Sequence, residues 1–301
     1  MIYLVTHRTR YHGSEPVSVG QNLAWLKPRS TDWQTRLGFE LEITPKPSNR
    51  DERKDYFGNT ASLFSFDGGY NELTVTAASR VEVRKRPYPE PVQTANWEQV
   101  RSELQQTRGQ SWHEAAQFAF DSPRSGGAQP LRDYAAVSFP PQMPILTGAI
   151  GLTQRIYREF KYRPQSTTVS TPVDEVFQER RGVCQDFAHV QIAMLRSLGL
   201  AARYVSGYLR TIPPPGKERL RGADASHAWL SVFCGDAGWV DLDPTNNCLA
   251  QTDHVTIAWG RDYGDVPPLK GIFIGGGAPQ LKVEVDVEPL PPGSATMQRP
   301  S

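Results

Sequence analysis

Residues 180–200, RRGVCQDFAHVQIAMLRSLGL, decide how the chain is read. Phe187, Val190, Gln191, Met194, Leu195 and Leu198 follow one another by steps of three and four, the period of one helix face. Gly199 closes the helix, since glycine readily takes the left-handed backbone that ends many helices. Carried one step backwards, the same stripe reaches Cys184, so the thiol sits in the first turn and faces the interior. There the unpaired N–H groups and the helix dipole favour thiolate over thiol and lower a cysteine pKa below its ordinary value of about 8.5. The same free amides suit an oxyanion, and Gly182 lets backbone come close just ahead of the thiol. With no base beside it, Cys184 is only a small core residue, because free cysteines are among the most buried residue types.

The chain offers six histidines for that role. His189 shares the helix but lies five residues on, about 140° around an axis with ~3.6 residues per turn, so it faces away. His7 and His12 fall among early strands and His113 in a helical stretch, which leaves His227 and His254. In SHAWLSVF (226–233) alternation puts His227, Trp229 and Ser231 on one face, and in GWVDLDPTNN (238–247) it groups Trp239, Asp241 and Asp243. If the two strands pair as a hairpin through CGDAG, their polar faces coincide. His227 then lies beside Asp243, which is nearer than Asp241 to the strand end where the imidazole is met. A general base needs such an acceptor to fix its tautomer and stabilise its charged form. Taken singly, a strand histidine is ordinary hydrogen bonding and an Asp before Pro244 an ordinary turn former. His254 opens HVTIAW (254–259) with no acid foreseen beside it and is the second choice.

The segments GVCQDFAH, DASHAWLSVF and GWVDLDPTNN resemble the three signature blocks of the transglutaminase-like superfamily, whose core is papain-like. ARYVSGYL and GRDYGDVPP resemble its bacterial branch, and LKPRSTDWQ and DYFGNTASLFSF resemble the β-domain that often precedes the core in bacteria. The resemblance implies Cys184 as nucleophile, His227 as general base and then acid, and Asp243 as the group orienting the imidazole. It implies acyl transfer from an amide or peptide bond through a thioester, with a peptide or protein as substrate. Water is the favoured acceptor, making the protein a cysteine peptidase or amidase; an amine acceptor, and so transglutamination, is the alternative. No run of carboxylates reads as a calcium loop, and neither cofactor nor metal is expected. A reading of another class is a non-catalytic binding or scaffold module, which has no need of three converging polar residues.

Composition sets the frame. The chain has 301 residues, with Lys+Arg 33 against Asp+Glu 32 and a net charge of +1, so no long-range field gathers nucleic acid or an anionic membrane. MIYLVTHRTRYHG has too few apolar residues for a signal peptide, and no stretch is long enough to span a bilayer, so a cytoplasmic location is expected. Cys184, Cys234 and Cys248 form no metal-ligand pattern and read as free thiols in a reducing compartment.

Residues 2–86 alternate in short runs and predict antiparallel strands, and KRPYPEP reads as a linker. The fold class expected is α+β. It comprises an antiparallel β-sandwich-like domain (1–90), a helical connector packed on the core (91–164), a papain-like core of helix on antiparallel sheet ending in the strand QLKVEVDVEP (165–289), and a disordered tail (290–301). RTIPPPGKERLRGAD, just ahead of His227, reads as a lid. Trp25 and Trp33 near Arg29 and Arg36 admit a peptide or glycan patch, although core tryptophans and surface arginines explain the same composition.

Overall fold

The computed structural model describes residues 1–106, 109–211, 225–278 and 280–291. Five strands open the chain: β1 (Ile2–Ala24), β2 (Gln34–Thr44), β3 (Asn49–Lys54), β4 (Thr60–Phe66) and β5 (Tyr70–Val83). Four helices follow: α1 (Trp97–Gln106), α2 (Gln110–Ala116), α3 (Gln129–Ala136) and α4 (Ile145–Glu159). The two-residue strands β6 (Lys161–Tyr162) and β7 (Arg181–Gly182) pair in parallel, with α5 (Val173–Glu179) between them in sequence, and lead into α6 (Cys184–Ser197). Then come β8 (Ala202–Leu209), β9 (Ala225–Phe233), β10 (Trp239–Asp243), β11 (Cys248–Leu249) and β12 (His254–Gly260), and finally β13 (Leu269–Gly275) and β14 (Gln280–Leu290).

The N-terminal sheet is organised by β1. Its first half, Ile2–His12, pairs with β5 on one edge and β14 on the other. Its second half, around Gly20–Ala24, pairs with β4 and β13. A register shift between His12 and Val17 separates the halves. Leu41, Ile43, Leu73 and Val75 share one core with Phe64 and Phe66, so a single sheet supplies both layers of the sandwich-like unit.

The structure corrects the placement of the C-terminal strand. β13 and β14 hydrogen-bond to β1 and so belong to the N-terminal sheet, not to the sheet of the core. The physical reason is an open edge. The first half of β1 has one side unpaired by β5, and β14 fills it while turning Val285 and Val287 into the main core. Within the segment read as a linker, Arg86 alone is buried, at 2% exposure.

The second sheet is antiparallel, in the order β11-β10-β9-β8-β12, and α6 packs across β9 and β8. Its other side meets α3, α4 and α5. Burial therefore exceeds the stripe foreseen from sequence: Ala188, Ile192 and Ala193 are as inaccessible as Val190, Met194 and Leu195, the pattern of a helix enclosed all round. Each large aliphatic side chain buried this way contributes about 1.5–3 kcal/mol relative to exposure. Among the described residues no helix is long and apolar enough to cross a membrane. Residues 212–224 of the lid reading and 292–301 of the tail lie outside the described residues.

Candidate active site

The site begins with the cap of α6. Val183 is extended at the N-cap position, and the third helical residue, Asp186, reaches back so that its Oδ2 accepts the Val183 N–H at 2.8 Å. The Thr167 hydroxyl donates to the same oxygen at 2.6 Å. Burial raises the Asp186 pKa, and these two bonds oppose the rise. Gly182 now has a specific reason: a Cβ there would stand 2.7 Å from Asp186 Oδ2, so the approach it permits is that of the capping carboxylate. Cys184 follows as the first helical residue, half-buried, with an N–H that has no acceptor inside the helix. Burial first, and the charge of Cys184 second, raise the hydroxyl pKa of both Tyr162 and Tyr204.

β9 and β10 form the foreseen hairpin, with Val232 opposite Val240, Ser231 opposite Asp241 and Leu230 opposite Leu242. That register makes His227 and Asp243 diagonal neighbours on one face, and His227 Nε2 lies 2.7 Å from Asp243 Oδ2. On the other side of β9, Gly207 faces His227, where any Cβ would collide with the Trp229 ring and the Val255 carbonyl. Asp243 is fully buried and saturated. Its Oδ1 accepts the N–H groups of Thr245 (2.9 Å) and Asn246 (3.2 Å), and its Oδ2 also accepts from Asn246 Nδ2 (2.7 Å). Burial alone would raise this carboxyl, but the bonds from His227 and His254 hold it far below the ordinary carboxylate range. For His227 burial acts downward and is outweighed by the hydrogen bond to Asp243 and by the nearby Cys184 thiol, which push the imidazole up to about 10. With Nε2 turned to Asp243, Nδ1 is the nitrogen left for the sulfur. The structure thus brings His227 and Asp243 together, with Cys184 near enough to influence the imidazole.

The other histidines divide cleanly. His189 is buried, its Nε2 accepts the Tyr263 N–H at 3.1 Å, and burial pushes its pKa down to about 3. His7 is tied to the Tyr208 hydroxyl (2.8 Å) and Thr9 (2.9 Å), and burial lowers it to about 4. His254 departs from expectation: it has an acid after all, since its Nε2 lies 3.0 Å from Asp243 Oδ2. The short loop from β11 crosses the end of the sheet to start β12, a path that strand alternation does not reveal.

Sequence reasoning also passed over the surroundings of Asp241. This buried carboxylate accepts from Trp229 Nε1 at 2.9 Å, from the Ser231 hydroxyl and from Arg86 Nη1. Close by, the fully enclosed Arg203 guanidinium stacks on Trp239 (4.2 Å) and Trp259 (3.8 Å), and Arg29 lies over Trp259 at 3.5 Å. Arg29 also donates to Asn59 Oδ1 at 2.6 Å, Trp25 to Asp55 at 2.9 Å, and Arg36 to the Pro28 carbonyl at 2.7 Å. The Trp and Arg residues of the N-terminal strands are therefore engaged in packing, with Arg29 and Trp259 joining the two sheets.

His227, Asp243 and His254 are the described residues whose donor atoms, within 4.8 Å of one another, come nearest to a metal ligand set. Their hydrogen bonding argues otherwise. His254 Nδ1 receives the Gln251 N–H at 3.4 Å, which puts the ring proton on Nε2, the very atom a metal would need.

Residues 3–82 match the bacterial transglutaminase-like N-terminal region, and residues 137–244 match the core of the transglutaminase-like superfamily. A Mycobacterium tuberculosis protein, itself named only as uncharacterized, is 41% identical over 296 residues, spanning 96% of this chain and 93% of its own. A Pseudomonas aeruginosa protein-glutamine gamma-glutamyltransferase is 29% identical over 102 residues, covering 31% of this chain and 15% of that protein. Among solved structures, a candidate cysteine protease from Cytophaga hutchinsonii superposes with a TM-score of 0.74 at 21% identity, covering 100% of this chain and 93% of the other, a likeness of fold. A cysteine that opens a helix, a hairpin that supplies His and Asp, and a β-domain in front all agree with these matches: the chain belongs to the transglutaminase-like superfamily and carries the bacterial N-terminal region ahead of the superfamily core.

Proposed function

We propose that the protein is a thiol-dependent acyl-transfer enzyme that cleaves amide or peptide bonds and passes the acyl group to water. The observation that carries this reading is the buried 2.7 Å contact between His227 and Asp243, with the Cys184 thiol near enough to the same imidazole to help raise its pKa. His227 draws the proton from the Cys184 thiol, and Asp243 stabilises the imidazolium that results. Cys184 Sγ attacks the carbonyl carbon, and the oxyanion is received by the free N–H of Cys184 at the start of α6. His227 gives its proton to the departing amine as the C–N bond breaks, leaving a thioester. Water then attacks the thioester while His227 takes its proton and hands it to the departing sulfur, so that acid and thiol are released. The three unpaired cysteines support a reducing, cytoplasmic compartment.

A second reading, transfer to an amine, is supported by the name of the Pseudomonas aeruginosa relative. The two differ only in what attacks the thioester. Incubating the protein with a peptide library, with and without a primary amine, and weighing the products separates free acid from amide adduct. Hydrolysis is expected in both arms; adduct formation at the expense of acid moves the assignment to transglutamination. A scaffold role gains if the peptides are left intact and Cys184 reacts with iodoacetamide at pH 6 no faster than an ordinary thiol.

A further inference from the structure

Asp243 Oδ2 accepts more donors than the Cys184–His227–Asp243 series requires. Besides His227 Nε2 and Asn246 Nδ2, both at 2.7 Å, it takes His254 Nε2 at 3.0 Å. The orientation of His254 is fixed at both ends. The Gln251 N–H points at its Nδ1, so its one proton is on Nε2 and aimed at the carboxylate. Its ring stands edge-on to Trp229, with centroids 5.2 Å apart and planes at 83°, and the Trp229 indole is itself anchored to Asp241 at 2.9 Å. The His254 side chain is 5% exposed. The His227 and His254 rings, 6.1 Å apart, meet the same oxygen from two directions.

We infer that His254 is a positioning residue: by donating to Asp243 Oδ2 opposite His227, it stops the carboxylate from rotating and keeps the His227 imidazole aligned on Cys184. The inference rests on the triad reading proposed above. Its chemical consequence is that Asp243 stays an acceptor throughout. An oxygen already receiving His254 and Asn246 is a poor home for the His227 proton, so that proton moves only between the imidazole and the groups on the Nδ1 side.

The test uses the whole protein and needs no known substrate. Alkylation of Cys184 by iodoacetamide at pH 6 is followed by mass spectrometry of the Cys184 peptide, which keeps Cys234 and Cys248 out of the signal, and thermal unfolding is recorded for each variant. His254→Ala is expected to slow alkylation about tenfold, the scale of a misaligned catalytic pair. His254→Gln, whose amide N–H reaches the place of Nε2, is expected to restore most of the rate. His254→Asn, whose amide stops at the place of Nδ1, is not. Should His254→Ala fail to fold, the Gln and Asn variants decide alone, since both are polar and similar in size. Equal rates for Gln and Asn, or an unaltered rate for a folded His254→Ala, overturn the inference while leaving the triad reading intact, provided His227→Ala is slow. If the unaltered protein reacts no faster than His227→Ala, both readings fall together.

Discussion

Asp241 and Asp243 stand two residues apart on β10, share a face of the sheet and are both buried, yet the molecule treats them differently. Around Asp241 the donors are the Arg86 guanidinium, the Ser231 hydroxyl and the Trp229 indole, none of which releases its proton near neutral pH. Around Asp243 two of the donors are imidazoles, the side chain whose charge changes in that range. One carboxylate therefore locks a junction and the other sustains a movable proton. Burial raises the pKa of both, and in both the partners win. What separates a structural acid from a mechanistic one here is the chemistry of its neighbours, not its own environment.

The strongest way to break this contrast is Asp241→Asn. It leaves Arg86 buried without its counter-charge, and an unfolding experiment in urea is expected to show a loss of about 3–5 kcal/mol, the cost of orphaning a buried pair. Cys184 alkylation in the fraction that remains folded is expected to be almost unaffected. An Asp241→Asn protein as stable as the parent would remove the structural half of the comparison.

Asp243→Asn is the converse. The amide no longer fixes the tautomer of His227 or balances its charge, so Cys184 alkylation at pH 6 is expected to fall by on the order of 10²-fold or more. Stability is expected to change less than in Asp241→Asn, because no guanidinium is stranded. Equal alkylation rates in the two Asn variants would show that the neighbours do not matter as claimed.

A pH series sharpens the picture by sign. His227 has a folded pKa raised to about 10, so its pairing stabilises the protein fully below its unfolded value of about 6.5 and fades as pH climbs towards 10. His189, with a folded pKa lowered to about 3, behaves oppositely: its burial is harmless above about 6.5 and costs stability as pH falls toward 3. Neither slope exceeds about 1.4 kcal/mol per pH unit for one proton. Denaturant titrations of the parent, His227→Gln and His189→Gln at pH 5, 7 and 9 read both. A stability gap between parent and His227→Gln that widens from pH 7 to 9 contradicts the charged state assigned to His227.

The smallest effect concerns the α6 cap. Asp186→Ala removes the acceptor of the Val183 N–H and is expected to cost about 1 kcal/mol of stability by thermal unfolding. Cys184 reactivity should fall only modestly, because Asp186 holds the helix start and neither charge of the reacting pair.

How much of this was legible in the sequence follows from the range over which each feature is encoded. The α6 helix and the β9–β10 hairpin are local, and periodicities of 3.6 and 2 were enough to put Cys184, His227 and Asp243 on the right faces. Alternation says which face a side chain takes but not what arrives there from elsewhere. Arg86 meets Asp241 across 155 positions, and Gln34 caps Thr256 across 222. Those contacts have no local signature, so the Asp241 junction and the Arg29–Trp259 stack escaped notice. The contact of His254 with Asp243 is illegible over a shorter range, because the turn that swings it there comprises loop residues without a repeating pattern. The alternation of β14 predicts a strand but fits any half-buried neighbour, so it does not choose between the two sheets.

The pairing of Ile2 with Leu290 means that β1 waits for a strand made long after it. Until β14 emerges, β1 offers an open edge along Ile2–His12, whereas the contacts of α6 with β8 and β9 can form as soon as those neighbouring segments exist. Such high contact order slows closure of the N-terminal sheet relative to assembly of the helical core. On a ribosome, the helix and strands that carry Cys184, His227 and Asp243 can come together before the N-terminal sheet is closed by β14.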